Sequence, residues 1–585
     1  MTEPAALRLY GPGVLDQLDP VCCPRFPIDQ VVRLFARQLF TYRTQADLRN
    51  WQAVAPTPDL ATEIPSMYNA GMGASHTSYV VHLRPDVCWD SDPERPVTTH
   101  DVVRGFKRMG NPVRRSALLS YFTDTIRGMA QFCDDYAAAF ADTEPTAHEL
   151  AEYQSAHDIP GLLVLDDTTI VFELRRPALD FIDMLTLPGT SPAPVEYDSF
   201  VPGSVELSRN IRSTGPYRPI DFTPGRELRL SRNPVWRAKS DPVRHRHVEA
   251  VEVIAEQVTA DDVAHRIRAD EADLAWGVRI ADPAMPAGHD LGFALDPYLV
   301  FNTHSPNAAG ALRKVQVRQA ISLAIDKAAI AAGVATLGRD TIIRIAGSIV
   351  PPNNDGHQDL DPYATLDHRG DPATCAAMLA AAGHPGEMTL TAVHPGTEHA
   401  RLVAQRYAAD LAEAGITVIP VEFAVPEYLD LLADPARAAA GDWDIALASW
   451  SPTWMHDNSR VFLQPLLHSG SPANSGRYRN PEVDALIERA LAAAEDRVTA
   501  EAAWRKAELV ALADAPIVPL LFQVPASREL CGRRVRAAAM LPAHGFAIDL
   551  TTPRLDPALD GMNGHSDQEM PAMILTLMGA IEKWM

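Results

Sequence analysis

The sequence predicts an α/β protein assembled from more than one domain. Its 585 residues exceed what one hydrophobic core supports, so two or three domains are expected. Between residues 388 and 423 the pattern runs strand, helix, strand, the alternation that gives parallel pairing in an α/β lobe. A hydrophobic fraction of 46% with 22% charged residues is ordinary for a globular chain.

The elements follow in order. Residues 5–10 read as a short strand entering a Gly-Pro turn, and 31–40 carry apolar residues at helical spacing. Residues 78–84 are a strand that ends at Pro85. A helix starts at Thr99, its expected N-cap, and runs through Val102, Val103 and Phe106. Residues 162–174 read as two strands joined at Asp166-Asp167, and 226–232 and 248–254 alternate as strands. Residues 315–332 form one amphipathic helix with Val317, Ala320, Ile321, Ala324 and Ile325 on a face. A helix over 371–382 closes at Gly383, and one over 401–414 stops at Gly415. The strands 388–393 and 416–423 follow these two helices. Helices over 481–494 and 499–514 precede a wholly apolar strand, 517–522. The tail after about residue 556 is polar and turn-rich, then Met-rich and apolar at helical spacing over 570–585. That last helix is expected to dock on the body or to meet a partner.

Charge and motifs exclude several functions. Lys and Arg number 52 against 75 Asp and Glu, a net charge of −23, so nucleic acid is excluded as a partner. No apolar run is long enough to span a membrane. The first ten residues lack a basic region followed by an apolar core, and the residues before Cys22-Cys23 are too polar for a lipoprotein anchor. A cytoplasmic location is therefore expected unless a leader has been removed. The six cysteines, Cys22, Cys23, Cys88, Cys133, Cys375 and Cys531, have no metal spacing, and His245-Arg-His247 lacks a third ligand nearby. No metal and no cofactor are expected. There is no phosphate loop, no dinucleotide fingerprint and no nucleophile elbow, so no catalytic residue is assigned.

A set of phrases appears in order along most of the chain. Leu15-Asp-Gln-Leu-Asp-Pro20 opens it. Val81-His-Leu-Arg-Pro-Asp-Val-Cys-Trp89 and Pro96-Val-Thr-Thr-His-Asp-Val-Val103 follow, then Thr214-Gly-Pro-Tyr217 and Leu230-Ser-Arg-Asn-Pro-Val-Trp236. Val300-Phe-Asn302, Val317-Arg-Gln-Ala-Ile321, Gly441-Asp-Trp-Asp-Ile-Ala-Leu-Ala-Ser-Trp450, Asn480-Pro-Glu-Val-Asp484 and Ala515-Pro-Ile-Val-Pro519 complete it. The ordered set resembles the large solute-binding proteins that serve peptide and nickel ABC importers, extracellular solute-binding protein family 5. That resemblance implies a two-lobed, periplasmic-binding-protein-like α/β fold of the type II, three-subdomain form, with two crossing strands as a hinge. Lobe I would comprise residues 1–39, 161–298 and 521–555, with a subdomain of residues 40–160 inserted. Lobe II would comprise residues 299–520, leaving 556–585 as the tail.

The resemblance also implies a function: capture of a small peptide-like or metabolite ligand in the interlobe cleft by a monomer, and delivery to an ABC permease. The ligand-facing segment would be Trp450-Ser451-Pro452-Thr453-Trp454-Met455-His456-Asp457. Peptide-binding members often carry an Asp three residues after this Trp to pair with the ligand's amino group. Thr453 stands there, with Asp457 displaced by four. His394 occupies a loop where dipeptide-binding relatives carry an Arg for the ligand carboxylate. A simple free dipeptide is therefore not the first expectation. Asn302, Tyr217 and Asp16, in the opening loop at the cleft edge, complete the candidate set. A cytoplasmic enzyme or sensor reusing the fold is the alternative.

Overall fold

The computed structural model describes residues 6–22, 27–45, 51–114, 116, 118–286, 293–337, 341–384, 386–455, 459–493 and 496–556. The expected tail helix over 570–585 lies outside the described residues.

The first body begins with β1 (Ala6–Gly11), whose Leu7 and Leu9 are buried. Helix α1 (Ile28–Phe35) starts and ends earlier than its apolar spacing predicts. The chain turns extended at Ala36, and the rest of that apolar run, Phe40–Tyr42, pairs as a strand with Pro56–Pro58. An inserted subdomain carries β2 (Ser78–His82), α2 (Thr99–Met109), α3 (Leu119–Thr123), β3 (Leu162–Asp166) and β4 (Thr169–Glu173). Its three strands form an antiparallel sheet in the order β2-β4-β3. The cap of α2 is Thr98, one residue before the expected Thr99. The Asp101 carboxylate reaches back to the Thr98 amide at 3.1 Å, while Thr99 Oγ1 donates to the Asp166 carbonyl at 2.6 Å.

After α4 (Phe181–Met184) the chain returns to the first body with β5 (Tyr217–Thr223), β6 (Glu227–Arg232), β7 (Ala250–Ala255) and β8 (Leu274–Ala275). The five-stranded sheet runs β8-β1-β7-β6-β5, with β1 parallel to both neighbours. Its core, including Leu7, Leu9, Leu228, Val251, Val253 and Trp276, packs against α1.

Next come β9 (Ala281–Pro286), β10 (Ala294–Phe301), α5 (Val315–Ala324) and α6 (Lys327–Ala335). The single helix expected over 315–332 is two. Asp326 leaves helical geometry and its carboxylate accepts from the Ala329 amide at 2.7 Å, so it caps a new helix. Then follow β11 (Thr341–Ile345), α7 (Pro372–Ala381), β12 (Met388–Pro395), α8 (Glu398–Glu413), β13 (Ile416–Phe423) and β14 (Ile445–Trp450). The chain continues with α9 (Ser459–Leu467), α10 (Pro481–Ala492) and α11 (Arg497–Asp514). Strands β15 (Ile517–Pro519), β16 (Leu521–Pro525) and β17 (Ser527–Glu529) follow α11. The expected strand 517–522 is thus divided around Leu520.

The second body is a seven-stranded sheet, β11-β16-β10-β14-β12-β13, with β15 also beside β10. β12 is parallel to β13 and β14, while β10 is antiparallel to β14. The sheet runs from Ala294 to Pro525, so the sequence divisions at 298/299 and 520/521 fall inside β10 and between β15 and β16. The chain crosses between bodies twice, from β9 to β10 and from β16 to β17. β9 and β17 pair as a separate ribbon, to which Arg279 is clamped through Glu529 Oε1 (3.3 Å) and the Phe546 carbonyl (3.2 Å).

One face of the large sheet, with Leu299, Leu390, Ile445 and Leu447, is covered by α5 to α8. The other face behaves differently. Leu295, Val393, Ala446 and Phe522 belong to a cluster that continues through Phe462 and Leu463 of α9 into Phe106, Phe122, Phe172 and Phe181 of the inserted subdomain and its return. The two bodies therefore share an apolar seam.

Candidate ligand-binding site

β14 leads to that seam. Alternation along the strand sends Ile445 and Leu447 toward the helices and Ala446, Ala448 and Trp450 toward the other body. Trp450 is half-buried, and its Nε1 donates to the Val461 carbonyl of α9 at 2.8 Å. Ser451 is exposed and Thr453 half-buried. Trp454 is fully buried, with its ring edge-on to Tyr121 at 4.9 Å. An edge-to-face pair of this kind contributes about 0.5–1.5 kcal/mol beyond the area it buries. The side chain of Thr453 bonds to Tyr121, whose hydroxyl is pushed up to about 12 by burial. The main chain of Met455 bonds to Tyr42, whose hydroxyl donates to Asp183 at 2.7 Å and is held protonated, first of all by burial. The loop 451–455 thus leaves one body and docks on two tyrosines of the other.

The opposite face of the same sheet end is polar. In open α/β sheets, ligands gather at the carboxyl ends of the parallel strands. There, Ser449 Oγ donates to Asp296 Oδ1 at 2.5 Å, and Gln523 Nε2 donates to the Asp296 carbonyl at 2.7 Å. His399 Nε2 lies 3.4 Å from Gln523 Nε2. Leu295 pairs with Trp450, so Asp296 begins beside the tryptophan and faces the other way. Ser449, beside this carboxylate, is exposed. The carboxylate and its hydroxyl lie on one face of this sheet end and the Trp450 ring on the other.

The sequence-derived residues divide by position. Trp450, Ser451, Thr453 and Trp454 come together at the seam. His394 is buried on the neighbouring β12, with Nδ1 3.0 Å from the Pro395 carbonyl. Asn302 lies at the far end of the sheet, since Phe301 pairs with Ile445. Its amide donates to the Ala438 and Trp443 carbonyls at 2.8 Å and its oxygen accepts from the His304 amide, so it ties loops within the second body. Tyr217 is buried in the first body, where its hydroxyl donates to the Val248 carbonyl at 3.1 Å. Asp16 lies 3.7 Å from Arg114 on the same body. In the opening loop it is Asp19 that is buried, accepting from Arg108 at 2.9 Å and the Gly203 amide at 3.0 Å. His456 and Asp457 lie outside the described residues. Sequence reasoning does not reach Tyr42, Tyr121, Asp296, His399 or Gln523. Asp296 had a usable signal, a carboxylate just ahead of Val300-Phe-Asn302, whereas the tyrosines carry no local pattern.

Among the described residues, no group of three His, Cys, Asp or Glu side chains could hold a metal, and no helix is long and apolar enough to cross a membrane.

A profile of the bacterial extracellular solute-binding proteins, family 5 (middle), matches residues 55–474, most of the chain. The chain belongs to this family. The family 5 protein is 26% identical over 469 residues to the probable deoxycholate-binding periplasmic protein YgiS of Escherichia coli, covering 76% of this chain and 77% of that one. It is 25% identical over 455 residues to the periplasmic oligopeptide-binding protein OppA of Salmonella typhimurium, covering 77% of each. The solved clavulanic acid biosynthesis oligopeptide binding protein 2 superposes on it with a TM-score of 0.74 at 25% identity, over 94% of this chain and 95% of that one. The two sheet-bearing bodies are the two lobes of the family fold, and the family 5 chain is a solute-binding protein.

Proposed function

We propose that this solute-binding protein captures a peptide-like ligand between its lobes and presents it to an ABC permease, acting as a monomer and without covalent chemistry. One observation carries the reading: the segment that leaves β14 at Trp450 docks on Tyr42 and Tyr121 of the opposite lobe. Seating a ligand against Trp450 and closing the lobes are thereby one event. The likeness to two oligopeptide-binding proteins supports the ligand class. The crossings between β9 and β10 and between β16 and β17 serve as the hinge.

Native mass spectrometry of protein purified from its own host tests the reading. A co-purified peptide-like mass, released on unfolding, is expected; only non-peptidic masses would overturn the ligand class.

A further inference from the structure

Helix α9 is buried along its whole length, and its first turn lines a cavity of about 70 Å³ at the seam. Neither β14 nor the loop 451–455 contributes to this cavity, so it is separate from the Trp450 surface. Its apolar lining comes from both lobes. Ala490 and Leu491 of α10 and Ala500 and Trp504 of α11 are all buried. Leu179, on the segment between β4 and α4, lines the same cavity from the other lobe and is 43% exposed. The charged residues around it are already paired. Arg460 reaches across the seam to Asp180 at 3.3 Å, and Arg176 reaches across in the other direction to Glu488 at 2.6 Å. Arg497 pairs with Glu501 at 3.1 Å and with Asp355 at 3.7 Å. Two ion pairs between the lobes thus flank an apolar space that both lobes enclose.

We propose that this cavity is a second site, which takes a small uncharged aliphatic molecule and thereby favours closure of the lobes. The paired rim selects against charge. An ion entering here would shed its hydration and find every counter-charge engaged, whereas an apolar group gains contact with both walls. Volume sets the size. An apolar cavity of about 150 Å³ accepts benzene, so this one suits a branched group of about four carbons. Ownership of the walls sets the consequence. When the lobes part, Leu179 leaves α10 and α11 and the site is halved, so the occupant favours the closed arrangement. By linkage it then strengthens solute binding, and the solute strengthens its own binding by the same factor. The site is additional to solute capture and does not depend on the class of that solute.

The test uses the full chain carrying fluorotryptophan, with the Trp504 resonance assigned through Trp504→Phe. Isobutanol is titrated in while fluorine NMR follows that resonance and small-angle X-ray scattering follows the separation of the lobes. The titration is run on protein that retains its co-purified solute and on protein stripped of it. Isobutanol is expected to move the Trp504 resonance to a plateau and to contract the stripped chain. Its midpoint should be at least about tenfold lower in the solute-bearing form. Isobutyrate and isobutylammonium, of the same shape, should each bind at least about tenfold more weakly. Ala500→Leu, which fills the space from α11, is expected to abolish the response. If that variant does not fold, Leu179→Asn, at an exposed position, is expected to abolish the contraction. No plateau in either form, equal responses to the three probes, or an undiminished response in the variants would overturn the site. A plateau without contraction, at the same midpoint in both forms, would overturn its coupling to closure. A co-purified solute that is not a peptide changes none of these expectations and bears only on the ligand class.

Discussion

At the scale of single residues, two side-chain positions matter most. Trp450 faces the opposite lobe and holds α9 through one hydrogen bond, so it has both an aromatic and a polar task. Trp450→Ala is expected to weaken affinity for the co-purified ligand at least about tenfold, equivalent to about 1.4 kcal/mol. Trp450→Phe is expected to recover stacking but not the order of α9, a split that calorimetry and hydrogen exchange separate. Gly277 is the second position. Its φ is +73°, and a Cβ there would fall 1.9 Å from the Gly13 Cα. Gly277→Ala must both adopt a left-handed backbone and displace a neighbouring chain. A loss of at least about 2 kcal/mol is expected in denaturant unfolding of the first lobe. Neither role is equally readable from sequence. Trp450 stands in a phrase that announces itself, whereas the Gly13–Gly277 approach joins positions far apart in the chain.

At the scale of elements, the first lobe is tied by a buried ionic network. Arg37 Nε meets Asp59 at 2.8 Å, and Arg244 meets Asp59 at 2.7 Å and Asp241 at 3.5 Å, all without exposed side-chain surface. Three separate loops converge on these charges. Asp59→Ala leaves two guanidinium groups short of one carboxylate and is expected to cost about 3–5 kcal/mol, measured by chemical unfolding. The neighbouring Asp241 carboxyl is held below its usual range by Arg37 and Arg244 against the burial that opposes it. Its contribution is present above the unfolded value and is lost as acid lowers the pH through the folded one. Element identity was largely legible because hydrophobic period is local: β1, β12, α7, β13 and α10 all begin and end close to where their spacing puts them. Two of the misplaced boundaries share a cause. Thr98 and Asp326 act through side-chain caps, and the apolar spacing runs on past Phe35 although the backbone turns extended there. A cap competes with hydrophobic period and wins by satisfying otherwise unpaired amides.

At the scale of the whole molecule, the family phrases made the two-lobed plan readable, because they mark turns and strand ends that each lobe needs. The seam was not readable. Tyr42 and Tyr121 carry no motif, and their partners Met455 and Trp454 lie hundreds of residues away, so only folded geometry joins them. A second ionic contact crosses the seam at its rim: Glu488 of α10 pairs with Arg176 across the seam and with His468 at 3.5 Å within its own lobe. His468 is raised, chiefly by its hydrogen bond to Glu488, and Glu488 is lowered to about 2, chiefly by the same bond. The histidine's contribution is full below its unfolded value of 6.5 and fades as pH rises through the folded one. The glutamate's is full above its unfolded value of 4.5 and fades as pH falls toward about 2. Both operate together between those two unfolded values. Because the groups are partly solvated, unfolding stability should fall by no more than about 1 kcal/mol from about pH 6 to about pH 8. His468→Gln is expected to flatten that slope.

The complete burial of α9 has a thermal consequence. Parting the lobes must wet Phe462, Leu463 and the aromatic groups around them, and hydrating apolar surface raises the heat capacity. The gape of this protein should therefore carry a curved temperature dependence. Chilling weakens the apolar adhesion between the jaws, so they should part more readily in the cold than a rigid-hinge picture would suggest.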